Sequence, residues 1–127
     1  MSMEEEFQKV ISALHTLRVG RISEEYDLQK KIATAFDAAG IKYTKEFHLG
    51  RGNRVDFLVA PGIAVEVKKG KPNRERLLNQ INRYAGFDEV HSIVIVVETS
   101  LKDPISHSQN GKPCKVVGLL KQWGIAL

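Results

Sequence analysis

The stretch RVDFLVAPGIAVEVKK, residues 54–69, decides the fold and carries the residues of greatest chemical interest. β-Branched and aromatic residues alternate on both sides of an Ala-Pro-Gly segment, and Pro-Gly is a strong turn signal. The pattern therefore predicts two antiparallel strands joined in a hairpin. Because side chains in a strand alternate between the two faces, Glu66 and Lys68 share one face with Ala64, and the aliphatic residues between them point to the other face.

Three charged residues of this hairpin, Asp56, Glu66 and Lys68, stand among apolar neighbours. Such charges are costly to bury unless they are paired or bound to a metal. Two interpretations are open. Glu66 and Lys68 could form an ion pair on a solvated face, or protect an exposed edge strand. Alternatively, Asp56 and Glu66 are hard oxygen ligands for Mg²⁺ or Mn²⁺, and Lys68 positions a water or stabilises negative charge beside them.

Asp56, followed by the EVK triplet at 66–68 on the next strand, resembles the PD-(D/E)XK nuclease superfamily. A helix with an acidic residue before the hairpin, and a helix with Gln80 and Tyr84 after it, extend the resemblance over residues 23–97. The resemblance implies a restriction-endonuclease-like α/β fold with an αβββαβ core, in which helices flank a central mixed sheet. It also implies a metal-dependent phosphodiester hydrolase.

The resemblance assigns roles to the hairpin residues. Asp56, Glu66 and the backbone carbonyl of Val67 would bind Mg²⁺ (or Mn²⁺), and Lys68 would activate or orient the attacking water. The chain departs from the family's motif at Val55, where the motif has Pro.

A further acidic residue, Glu25, lies near the start of a helix predicted between Ser23 and Gly40. At ~100° per residue, Glu25 falls within about 40° of the centre of the apolar stripe. An exposed first-turn glutamate that favours the helix dipole is the alternative. The resemblance favours an inward-facing Glu25, since many family members carry a first-helix glutamate that reaches the metal site directly or through water.

Residues 73–86 predict an amphipathic helix on which Gln80 and Tyr84 lie four residues apart on one flank. Such a pair is common in amphipathic helices. After a strand with an ExK triplet, however, it resembles the QxxxY motif of the RecB-like and phage-exonuclease branch, where these residues help to hold the substrate phosphate. A resolvase-like branch of the superfamily is the other comparison.

Basic residues around the hairpin are the candidates for contact with nucleic acid. The Gly-rich turn at 50–54 contains Arg51 and Arg54, which could hold phosphate, although a simple hairpin turn needs the same glycines. The remaining candidates follow the hairpin: Lys69, Lys71, Arg76 and Arg83. The net charge of +4 and the pI of about 9.3 fit a nucleic-acid partner without requiring one.

The length of 127 residues predicts one domain, residues 1–127. We divide it into an accessory helix at 1–19, a catalytic core at 23–97 and a C-terminal extension of the core at 98–127. Within these, 42–49 predicts an edge strand, 91–97 a strand buried on both faces, 98–112 a surface loop and 113–120 a last strand.

The remaining features concern compartment and assembly. The single cysteine, Cys114, excludes an internal disulfide and a cysteine-rich zinc or iron–sulfur site, and is expected to be partly buried. An acidic N-terminus and apolar runs too short for a bilayer predict a cytoplasmic protein without a membrane partner. The first helix could pack as an accessory or form a homodimer contact. Trp123 is expected to be a core or dimer anchor.

We expect a divalent-metal-dependent nuclease that hydrolyses phosphodiester bonds in DNA, with endonuclease favoured over exonuclease. A catalytically silent module that binds nucleic acid or a protein on the same scaffold is the alternative. On the first hypothesis, replacing Asp56 by Ala should abolish cleavage and leave the fold intact.

Overall fold

The computed structural model describes residues 2–17, 25–98, 105–108 and 110–119. These residues form three α-helices and five β-strands. In chain order they are α1 (Met3–His15), α2 (Glu25–Ala38), β1 (Tyr43–Gly50), β2 (Asn53–Val59), β3 (Ile63–Lys68), α3 (Arg74–Ala85), β4 (Ser92–Val97) and β5 (Cys114–Gly118). No helix in this part of the chain is long and apolar enough to cross a bilayer.

The five strands form one mixed sheet in the order β1-β2-β3-β4-β5. The first three strands are antiparallel neighbours, and β3, β4 and β5 run parallel. Helix α3 connects β3 to the parallel strand β4, as a parallel pair requires. The predicted α/β class and mixed sheet are confirmed, and β3, the strand with the ExK triplet, lies in the middle of the sheet.

Helices cover both faces of the sheet. Alternate residues of β3, among them Val65 and Val67, pack with α1 and α2, whereas Ala64 packs with α3 on the opposite face. All six residues of β4 are buried, because both of its faces are covered. The hairpin's predicted alternation is therefore confirmed, and Glu66 and Lys68 point to the face that α3 covers.

The ends of the helices follow their sequence signals. Asn73 caps α3 by accepting a hydrogen bond from the Arg76 amide at 3.0 Å, and Gly86 is the C-cap residue. Ser2 caps α1, whose first turn carries three glutamates that favour the helix dipole. Ser23, the predicted cap of α2, lies outside the described residues.

The turn between β2 and β3 is tightly packed at Gly62. Its amide donates to the Val59 carbonyl at 2.9 Å, and its carbonyl accepts from the His91 amide at 2.7 Å. A Cβ at Gly62 would overlap the His91 ring and lie 2.5 Å from the Glu89 carbonyl oxygen. Only glycine fits here without displacement of its neighbours, for reasons of space.

The predicted strands of the sheet are confirmed, whereas the loop predicted after β4 is partly wrong. The edge strand, the buried strand and the last strand are confirmed as β1, β4 and β5. The expectation of a surface loop at 98–112 is wrong at Ile105 and Ser108, which are buried. Cys114 is buried. Residues 99–104, 109 and 120–127, which include Trp123, lie outside the described part of the chain.

Candidate active site

The two acidic residues of the hairpin meet where β2 and β3 stop pairing. The antiparallel pairing ends with Phe57 opposite Val65, one residue before Asp56 and Glu66 would face each other. Beyond that point, side chains replace the backbone ladder. The Asp56 amide donates to Glu66 Oε1 at 3.1 Å, and the Val67 amide donates to Asp56 Oδ2 at 2.7 Å. Each carboxylate is thus fixed by the backbone of the opposite strand.

Glu66 is the most buried charge of the site, with 6% of its surface exposed. Its Oε2 accepts a hydrogen bond from Gln80 Nε2 at 3.1 Å and lies 3.3 Å from Lys68 Nζ. Together with the Asp56 amide, these groups compensate a carboxylate that would otherwise be costly to bury. The ion pair considered from the sequence is present. Its proposed setting is wrong, because Glu66 is buried and β3 is the middle strand.

Helix α3 brings Gln80 and Tyr84 to the acidic residues. Gln80 Nε2 also donates to the Tyr84 hydroxyl at 2.8 Å, and that hydroxyl donates to the Arg54 carbonyl at 3.2 Å. Burial raises the pKa of Tyr84 above its ordinary value of 10.0, and the Glu66 carboxylate raises it further. The hydroxyl therefore stays protonated at neutral pH and remains a donor. The predicted position of Gln80 and Tyr84 on one flank of the helix is confirmed by their hydrogen bond, and their roles toward a substrate stay predictions.

The donor set fits one kind of metal site. Mg²⁺ prefers oxygen ligands and is commonly held by one or two carboxylates together with waters and substrate phosphates. Asp56 and Glu66 provide two such carboxylates, and Val67 can contribute only its backbone, because its side chain packs in the core on the other face. In the described part of the chain, no three His, Cys, Asp or Glu side chains are grouped to hold a metal ion.

Glu25 is the first residue of α2, but its side chain lies outside the described residues. The buried side chains of α2 pack against the face of the sheet opposite α3. The inward orientation of Glu25 and its contact with the metal site stay predictions.

Basic side chains line a groove beside the acidic residues. The groove has a volume of about 370 Å³ and contains Lys68, Arg76, Gln80 and Arg83 among its lining residues. Arg76 and Arg83 are exposed. Lys69 and Lys71 are exposed on the segment between β3 and α3. Four of the predicted cations therefore lie on α3 or directly before it.

The other two predicted cations, Arg51 and Arg54, are exposed at the turn between β1 and β2. Arg51 lines a second groove, of about 850 Å³, which Arg83 also lines. Arg83 lines both grooves, so the turn adjoins the groove that Lys68 and Gln80 line. The Arg54 carbonyl is the acceptor of the Tyr84 hydroxyl, so its backbone belongs to the site even though its side chain is exposed.

Two residues of the site were not predicted from the sequence. Asn53 Oδ1 accepts from Arg83 Nε at 3.2 Å, which joins the β1–β2 turn to α3. Glu98 Oε2 accepts from the Gly70 amide at 3.1 Å and so fixes the segment that follows Lys68. Glu98 follows β4, and carboxyl ends of parallel strands meet at one edge, so its position beside Lys68 could have been anticipated.

No protein-family model, curated protein or solved structure matches the chain. The likeness to the PD-(D/E)XK superfamily is therefore a resemblance in residue types and their order.

Proposed function

We propose that this protein is a divalent-metal-dependent nuclease that hydrolyses phosphodiester bonds in DNA. The observation that carries the proposal is the meeting of Asp56 and Glu66 at the point where β2 and β3 separate, with Lys68 Nζ 3.3 Å from Glu66 Oε2. Two carboxylates and an amine held together on a sheet suit hydrolysis of an anionic ester with a divalent metal.

The order of the elements supports a restriction-endonuclease-like fold. From α2 to β4 the chain runs helix, three strands, helix, strand, which is the αβββαβ order that the resemblance implies. The three strands are antiparallel neighbours, and the fourth is added in parallel after α3. We therefore propose this fold family as the scaffold of the site.

Each residue of the site has a role in the proposed reaction. When bound by Asp56 and Glu66, Mg²⁺ or Mn²⁺ would supply Lewis acidity and lower the pKa of a coordinated water. Lys68 lies next to Glu66 and is 27% exposed in its side chain, so its amine can reach a substrate phosphate or orient the attacking water. Gln80 donates to Glu66 and to the Tyr84 hydroxyl, and Gln80 and Tyr84 would position the scissile phosphate.

The charge of the surrounding surface favours a polyanionic substrate. Lys68, Arg76 and Arg83 line the groove beside Gln80, and Lys71 is exposed on the segment that leads into it. Cations clustered along a groove attract the phosphate backbone and release its counterions on binding. The groove therefore provides the binding energy that an ester of nucleic acid would need at this site.

The second candidate function is a binding module without catalysis. It is favoured by the fact that both oxygens of Glu66 already have partners: Oε1 accepts from the Asp56 amide, and Oε2 contacts Gln80 and Lys68. A carboxylate satisfied in this way stabilises the scaffold without a metal. On this hypothesis the basic groove would bind nucleic acid and leave it intact.

The experiment that separates the two is a cleavage assay on labelled circular, linear, single-stranded and junction DNA and on RNA, with Mg²⁺, Mn²⁺ or EDTA. We expect metal-dependent cleavage of DNA that is lost in Asp56→Asn and Lys68→Ala. Lys31→Ala is the matched control, because Lys31 is exposed on α2, which covers the opposite face of the sheet. Salt-sensitive binding by the wild type without cleavage of any substrate would favour the binding module.

Thermal stability with Mn²⁺ provides a readout that does not depend on turnover. A ligand that binds the folded state raises Tm by mass action. We expect Mn²⁺ to raise the Tm of the wild type and to have a much smaller effect on Asp56→Asn. Equal shifts in both proteins would contradict a metal site at Asp56.

A further inference from the structure

The turn between β1 and β2 has an unfavourable residue at its tip. Gly50 pairs with Asn53, so the loop consists of Arg51 and Gly52 alone. Both have positive φ angles, 51° and 76°. Two-residue hairpin loops with positive φ at both positions are type I′ turns, and their first position favours Asn, Asp or Gly. Arginine is thus held in a left-handed conformation that costs conformational energy for any residue with a Cβ.

The turn is nevertheless held firmly, and from the side of the candidate active site. Arg83 Nε donates to Asn53 Oδ1 at 3.2 Å, and Asn53 Nδ2 donates to the Gly50 carbonyl at 3.3 Å and to the Arg51 carbonyl at 3.4 Å. The next residue of α3, Tyr84, donates to the Arg54 carbonyl. The helix that presents Gln80 to Glu66 therefore also fixes the backbone that presents Arg51.

Arg51 lines the groove beside the turn and not the groove that contains Lys68 and Gln80. The lining of the groove beside the turn includes two cations, Arg51 and Arg83, and two anions, Asp88 and Glu89. The two arginines would attract a polyanion, and the two carboxylates would repel it. Arg83 also lines the groove that contains Lys68, so a phosphate chain at the acidic site can continue to the turn.

We propose that Arg51, supported by Arg83, binds a backbone phosphate of the nucleic acid at a distance from the scissile bond. This inference rests on the proposed function and adds a second phosphate subsite to it. A guanidinium forms paired hydrogen bonds with phosphate oxygens, which the residues favoured in type I′ turns do not offer. A residue that contradicts the local preference of its turn is expected where function requires its charge.

The proposal predicts opposite effects of one substitution on stability and on binding. Arg51→Asn gives the loop the Asn-Gly sequence that type I′ turns prefer, so Tm should rise or stay unchanged. Affinity for a labelled DNA duplex, measured in EDTA so that no cleavage occurs, should fall several-fold. The slope of log K against log salt should become smaller in magnitude by about one, which corresponds to the loss of one phosphate contact. Lys31→Ala, which removes a charge from the opposite face, should leave the affinity and the salt slope unchanged.

Two results would overturn the subsite: unchanged affinity and salt slope in Arg51→Asn, or no binding of DNA by the wild type at all. The fate of the nuclease proposal is read separately, from cleavage by the wild type with Mg²⁺. Weaker binding by Arg51→Asn beside a wild type that never cleaves would support the subsite and contradict the nuclease. Where the wild type cleaves, Arg51→Asn should raise KM and leave kcat near its original value, as expected for binding away from the reacting bond.

Discussion

The backbone amide of Asp56 donates a hydrogen bond to the carboxylate of Glu66, at 3.1 Å, at the position where β2 and β3 cease to pair. The two acidic residues are thus joined through a backbone group. The reciprocal bond, from the Val67 amide to Asp56 Oδ2 at 2.7 Å, fixes the second carboxylate. The Asp56 and Val67 amides donate to carboxylates of the proposed site instead of to ladder carbonyls. The sheet therefore holds these carboxylates in place before any ligand binds.

This geometry changes what is expected of Asp56 variants. Asp56→Ala removes the acceptor of the Val67 amide and should destabilise the fold by about 1–3 kcal/mol, so the expectation of an undisturbed fold no longer holds. Asp56→Asn keeps an oxygen acceptor and should lose less stability. Both should lose cleavage, since alanine offers no ligand atom and an amide is a poor ligand for a divalent metal compared with a carboxylate. Urea unfolding together with the cleavage assay measures both effects, and equal stability of the two variants would contradict the role given to this bond.

Lys68 and Glu66 should be coupled energetically. Lys68→Ala removes the charged partner of the buried Glu66 carboxylate and should lower the free energy of unfolding by about 1–2 kcal/mol. This loss is smaller than that expected for a fully buried pair, because the Lys68 side chain is 27% exposed. Glu66→Gln in the Lys68→Ala background should recover part of this loss, because it removes the uncompensated charge. A double-mutant cycle from denaturant unfolding measures the coupling. Strict additivity of the two substitutions would show that the ion pair contributes nothing.

The sequence was sufficient for those parts of the site that depend on local pattern. Alternation in the hairpin placed Glu66 and Lys68 on one face, and four-residue spacing placed Gln80 beside Tyr84, because both depend only on the periods of a strand and a helix. The contacts that it could not provide join residues far apart in the chain. Arg83 and Asn53 are 30 positions apart, and nothing in a turn-like Asn predicts that it accepts from a helix. The replacement of backbone ladder hydrogen bonds by side-chain hydrogen bonds at Asp56 likewise depends on tertiary structure, since it occurs where β2 and β3 diverge.

Gly62 should be the least replaceable glycine among those described. Its φ is not in the left-handed region, but a Cβ there would overlap His91 and the Glu89 carbonyl. Gly62→Ala should therefore cost about 1–3 kcal/mol or more through overpacking. Gly70→Ala is the matched comparison: its φ is +72° with nothing within 4 Å of the added Cβ, so only the conformational cost of about 1–2 kcal/mol applies. Thermal unfolding compares the two, and a smaller loss for Gly62→Ala would refute the packing explanation.

Cys114 should make the fold sensitive to alkaline pH. Burial raises the pKa of its thiol from 9.0 to about 12, so the folded protein keeps this proton at a pH where the unfolded chain has lost it. The contribution is fully present below pH 9 and is lost as pH rises toward 12, by about 1.4 kcal/mol per pH unit within that window. Tyr43 and Tyr84 have raised pKa values of the same sign, but their ordinary value is 10.0, so the interval between pH 9 and pH 10 reports mainly on the thiol.

The measurement is the free energy of unfolding of the wild type and of Cys114→Ala across this interval. Cys114→Ala should be less stable at neutral pH because it leaves a small cavity, so the comparison concerns the slopes. We expect the wild type to lose stability more steeply than the variant, since only the wild type carries the buried thiol. Native Cys114 should also react slowly with a thiol reagent and rapidly after unfolding, because it is buried and keeps its proton. Equal slopes together with rapid labelling of the native protein would contradict this burial.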